Sequence, residues 1–92
     1  MAHSARQSHD DAMENASLGI DTESLRALGQ AIRSMRVEKA TSQEELAHVS
    51  TLDRSHLGRI ERGERNLSIL NLVRIARGLG CAPSEILSRA GM

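Results

Sequence analysis

From residue 22 onward, apolar side chains return every three or four positions, and each run is soon cut by a capping residue or a glycine. That period belongs to an amphipathic helix, whereas a strand would alternate every second residue. Leu25, Leu28, Ile32 and Met35 therefore predict a helix over roughly 22–38, ended by "KATS". Ser42, with Glu45 three residues later, is a capping box opening a second helix at Gln43–Val49. Asp53 is placed to start a third at about 53–62, and Gly63 to stop it. Ser68 and Gly80 bracket a fourth over 69–79, and Pro83 suits the first turn of a fifth, "SEILSRA". Neither strand-like alternation nor an internal repeat is present, so the expected class is all-α. With no Phe, Tyr or Trp, the core must come from Leu, Ile, Val, Ala and Met. A hydrophobic content of 39% in 92 residues suits one small domain, expected at 22–92.

Residues 1–21 are polar, rich in Ser, His and acid, and read as a flexible acidic tail. The formal net charge of zero hides a division. Residues 1–23 set Arg6 against Asp10, Asp11, Glu14, Asp21 and Glu23, a net −4; residues 24–92 carry eleven basic and seven acidic side chains, a net +4. A mildly basic domain with an acidic extension describes the chain better than its total does.

The basic residues concentrate in "LDRSHLGRIERGERN", residues 52–66, with four arginines, two glycines and two glutamates. The tight connection "VSTL" joins the helix carrying them to the one before, as in a helix-turn-helix. At about 100° per residue, Leu57, Ile60 and Glu61 share one face of the third helix. Ser55, Gly58, Arg59 and Arg62 point the other way, with Arg54 flanking. Arginine reads guanine O6 and N7 with two parallel donors and also grips phosphate. A mid-helix glycine sacrifices about 1 kcal/mol relative to Ala. Gly58 is therefore expected where backbone approaches something bulky, such as base edges.

From Leu28 to Leu87 the chain resembles the Xre/Cro-type helix-turn-helix regulators, which include lambdoid phage repressors and restriction–modification controller proteins. The stretches that carry the resemblance are "IRSMRVEKATSQEELA", "DRSHLGRIERGERN" and "LVRIARGLGCAPSEIL". It implies a compact five-helix, lambda-repressor-like domain that binds double-stranded operator DNA as a homodimer and regulates transcription. It further implies that Gln43 bonds a phosphate and braces the recognition helix, that Arg54, Ser55, Gly58 and Arg59 face bases, and that Arg62, Arg65 and Asn66 serve backbone or minor-groove contacts. Arg36 and Glu61 match a family ion pair. The family often has Gly near Ala40, Gly near Thr51 and Pro at Leu67; this chain does not. RNA polymerase or a regulatory protein is a candidate further partner. The alternative reading is a protein-binding module, an antitoxin or adaptor, on the same fold.

In the fourth helix Ile69, Leu72, Val73, Ala76 and Leu79 form the expected core stripe, and Leu70 lies off it. With the C-terminal interface implied by the resemblance, this points to Leu70, Cys81, Ala82 and Ile86 as dimer contacts. Other chemistries find little support. His3, His9, His48, His56 and Cys81 lack metal-ligand spacing, so no metal is expected. Asp53, Ser55 and His56 are neighbours on one helix pointing apart, which disfavours a catalytic triad and an enzyme. No glycine loop suits a nucleotide cofactor. The chain has one cysteine, no bilayer-length apolar run and no apolar signal stretch, so it is expected in the cytoplasm, away from membranes.

Overall fold

The computed structural model describes residues 21–92, and the tail predicted at 1–21 lies outside them except for Asp21. Five helices and no strands are present among the described residues. They are α1 (21–38), α2 (Gln43–Ser50), α3 (Arg54–Glu61), α4 (Ile69–Leu79) and α5 (Pro83–Arg89). The start signals act largely as expected. Ser42 Oγ accepts from the Glu45 N–H at 3.0 Å while Glu45 Oε1 accepts from the Ser42 N–H at 2.9 Å. Ser68 Oγ accepts from the Asn71 N–H at 3.1 Å.

All five helices end the same way, with an amide returning to a carbonyl five residues back: Thr41 to Arg36, Leu52 to Ala47, Glu64 to Arg59, Cys81 to Ala76 and Met92 to Leu87. This closure puts one residue in the left-handed region. Gly63, Gly80 and Gly91 hold three of those places, but Ala40 (φ 52°) and Thr51 (φ 59°) hold the other two. The missing glycines noted in the sequence are thus two side chains in a backbone state they disfavour by about 1–2 kcal/mol each.

One aliphatic core joins the helices. It takes Ala31, Ile32 and Met35 from α1, Leu46 and Ala47 from α2, Leu57 and Ile60 from α3, Leu72, Ile75, Ala76 and Leu79 from α4, and Ile86 from α5. Without aromatic rings to fill space, the helices come close. A Cβ on Gly29 would collide with the Ile60 carbonyl oxygen and lie 2.5 Å from that of Glu61. A Cβ on Gly78 would meet Ser50 Oγ at 2.7 Å and Leu46 at 2.9 Å.

Two expectations about packing are corrected here. The buried stripe of α4 is centred on Ile75, which is fully buried, while Ile69 is 69% exposed and Val73 half-buried. α2 packs against the far end of α4, where Gly78 lies close to Ser50 and Leu46, while the first residue of α4 stays in solvent. Ile86 was expected at a dimer surface, but its exposure is 0%. It is the buried anchor of a seven-residue helix and closes the end of the monomer's own core.

Candidate nucleic-acid interface

The candidate site is built on α3, whose two sides are unlike. Leu57 and Ile60 face the core, and beside them Glu61 is buried with its side chain 1% exposed. A buried carboxylate requires partners, and Glu61 has three bonds from two other segments. Arg36 Nε donates to Oε2 at 2.7 Å, Arg36 Nη2 donates to Oε1 at 3.0 Å, and Gln43 Nε2 donates to Oε1 at 2.9 Å. Arg36 Nη1 also donates to the Thr41 carbonyl at 2.9 Å in the α1–α2 turn. Its hydrogen bonds to Glu61 hold the guanidinium pKa above the usual arginine value, against the opposing effect of burial. The first turn of α2, the end of α1 and the end of α3 are thereby tied at one point.

On the outer side Gln43, Asp53, Arg54, Ser55, Gly58, Arg59 and Arg62 line one shallow, open hollow. Arg54, Ser55, Arg59 and Arg62 are exposed around it, as are Arg65 and Asn66 in the segment after the helix. Among the described residues Arg54, Arg59 and Arg65 have no carboxylate within ion-pair distance. Arg62 differs, because its Nε and Nη2 donate to Glu64 at 3.1 and 3.2 Å. Those bonds raise the Arg62 pKa and lower that of Glu64. Gly58 lines the same hollow. It is buried on the hollow's floor, and a Cβ there would meet only side-chain ends, Arg62 Nη1 at 3.3 Å and the Gln43 amide at 3.6 Å. The Gln43 amide, which donates to Glu61, passes at ordinary contact distance from that position, and only the Arg62 end would have to shift.

Sequence reading passed over two features of this region. Asp53, read as a cap, makes no side-chain capping bond and lines the hollow. Gly29, whose absent Cβ allows α1 to sit against the end of α3, went unremarked inside an ordinary amphipathic run. Only its mid-helix position hinted at it.

The other candidates lie apart. Leu70 is 65% exposed beside Ile69 on α4, Ala82 is exposed, and Cys81 is half-buried with its thiol pKa raised, chiefly by burial. Among the described residues no cluster of three or more His, Cys, Asp or Glu could hold a metal, and no helix is long and apolar enough to cross a membrane.

Two short helices joined at a tight corner are also what comparison with known proteins returns. The helix-turn-helix family model HTH_3 matches residues 32–86, so the chain belongs to that family. It is 41% identical over 68 residues to control protein C.BamHI of Bacillus amyloliquefaciens, covering 72% of this chain and 84% of that one. Against control protein C.SmaI of Serratia marcescens the identity is 37% over 65 residues, covering 71% and 77%. The solved restriction–modification controller protein C.AhdI from Aeromonas hydrophila superposes with a TM-score of 0.67 at 45% identity, covering 67% of this chain and 94% of that one. The clp gene regulator ClgR from C. glutamicum gives a TM-score of 0.72 at 32% identity, covering 74% and 88%. Within its family the chain is an Xre-type, DNA-binding transcriptional regulator of the controller-protein kind.

Proposed function

We propose that this chain binds double-stranded DNA sequence-specifically as a symmetric homodimer and controls transcription from the promoter it occupies. The observation that carries this reading is the outer side of α3, where exposed Arg54, Ser55 and Arg59 border one open hollow backed by the Arg36–Glu61–Gln43 hydrogen bonds. In the major groove, Arg54 and Arg59 read guanine edges, with Ser55 able to donate or accept beside them. Arg65 and Asn66 reach the flanking backbone, and Arg62 joins them when it exchanges Glu64 for phosphate. Gln43 braces the helix through the bond its Nε2 donates to Glu61, and from the start of α2 it bonds a phosphate.

The dimer contact runs along α4, where Ile69 and Leu70 are adjacent, large, apolar and about two-thirds exposed, with half-buried Val73 beside them. Cys81 and Ala82, at the far end of α4, extend it. Two-fold pairing through this surface sets the recognition helices about 34 Å apart, one turn of B-DNA. Bound there, the dimer blocks or contacts RNA polymerase.

Titration and footprinting on duplex DNA test the reading. Arg54→Ala and Arg59→Ala should each weaken specific binding by about 1–3 kcal/mol and relax one operator position. Leu70→Glu should give a folded monomer by light scattering and circular dichroism. Unchanged binding in both arginine variants, or a wild-type protein monomeric at high concentration, contradicts the reading.

A further inference from the structure

The three helices α2, α3 and α4 start alike in backbone terms but differ in one side chain. Ser42, Asp53 and Ser68 all hold the N-cap place in extended backbone, and the two serines turn inward to bond an amide of the first turn. Asp53 has an equally good acceptor and leaves it unused. Among the described residues it makes no ion pair with neighbouring Arg54 or any other cation. It is exposed, and it lies where two hollows meet. One is the arginine-bordered hollow of α3; the other holds His56, Asn71 and Arg74 on the opposite flank. An unpaired carboxylate at the leading tip of a helix is poorly placed against phosphate, which it repels. It is well placed against a base edge, because N-terminal residues of a recognition helix reach deepest into the major groove.

We infer that Asp53 reads sequence directly, its carboxylate accepting a hydrogen bond from the N4 amino group of a cytosine. This rests on the DNA-binding reading above. The choice of base follows from the donors each edge presents. An ionised carboxylate only accepts. Guanine presents the acceptors N7 and O6, and thymine the acceptor O4 and a methyl group. Adenine pairs its N6 donor with an N7 acceptor that repels a second carboxylate oxygen. Cytosine offers a donor and no acceptor of its own on this edge. Asp53 thus adds to the arginines a selective element of opposite sign, which rewards one base while lowering attraction to phosphate in general.

The test selects operators from a randomised duplex library with wild-type protein, Asp53→Ala and Asp53→Asn, then measures affinities for the selected sequence and for unrelated DNA. Wild type should demand cytosine at one position of each half-site. Asp53→Ala should accept any base there and lose roughly 5–150-fold in affinity for the wild-type sequence, while its affinity for unrelated DNA holds or rises. Asp53→Asn should move the preference toward adenine, which its amide meets with one donor and one acceptor. Circular dichroism melts should leave all three proteins folded, since no capping bond is removed. As a check needing no variant, replacing that cytosine by 2-pyrimidinone, which lacks the amino group, should weaken wild-type binding comparably. Selection of one sequence by all three proteins, relaxation at a base other than cytosine, or indifference to 2-pyrimidinone overturns the inference while leaving DNA binding intact. A wild-type protein that selects no sequence overturns both.

Discussion

The two sides of α3 are made of similar residues under opposite physics. Inside, Glu61 is enclosed and bonded by Arg36 and Gln43, and the helix backbone rests against Gly29. Outside, Arg54 and Arg59 stand in solvent, and Arg62 shares an exposed glutamate. A charge on the inner side holds the fold, because removing its partner strands it without water. A charge on the outer side is nearly neutral for stability, because solvent and salt screen it. The difference teaches that the outer side is held in place chiefly by residues of the inner one, with Gln43 belonging to both.

The sharpest way to break this comparison is at Glu61. Glu61→Ala leaves Arg36 and Gln43 facing a vacated site and should destabilise the domain by roughly 3–5 kcal/mol. Replacing Arg36 and Glu61 together by Met and Leu should cost much less. Urea denaturation of the single and double variants measures both, and a Glu61→Ala protein as stable as wild type would show that the network is not structural.

Gly29→Ala comes next. Its methyl group meets carbonyl oxygens of α3, which cannot move without the helix, so a loss of about 1–3 kcal/mol is expected despite alanine's better helix propensity. The same substitution at Gly58 should have the opposite sign. There the new methyl displaces only the end of the Arg62 side chain, and the domain should gain up to about 1 kcal/mol. Thermal melts of the two variants decide, and matching signs would mean that helix propensity rather than packing governs both glycines.

Smaller again are the two strained caps, which lie outside α3 altogether. Thr51→Gly and Ala40→Gly remove a left-handed side-chain penalty, partly offset by a more flexible unfolded chain. Each should raise stability by roughly 0.5–1 kcal/mol, Thr51→Gly the more because Thr is β-branched. A fall in melting temperature for either would place the cost elsewhere than in the backbone. The least effect on folding is expected from Glu64→Gln, which releases Arg62. It should leave stability within about 0.5 kcal/mol but strengthen binding to DNA of any sequence and steepen its salt dependence by up to about one.

Much of this was legible in the chain. Ser42 with Glu45, Ser68, Pro83, Gly63 and Gly80 mark helix limits because capping is a local event, decided within four or five residues. The phase of Leu57, Ile60 and Glu61 gave α3 its inner side by the same local geometry. Asp53 shows the limit of such signals, since its backbone takes the cap position and its side chain does not.

What the sequence by itself determined is therefore the number, length and order of the helices, and which residues of α3 turn outward. Only the tertiary structure decided how far α1 approaches α3, that Gly58 lies under Gln43 and Arg62, that Ile86 belongs to the core, and that Ile69 does not. Period and capping repeat within a single turn and can be read from one strand of text. A helix's burial depends on where its neighbours cross it, and that follows from packing all five together without voids.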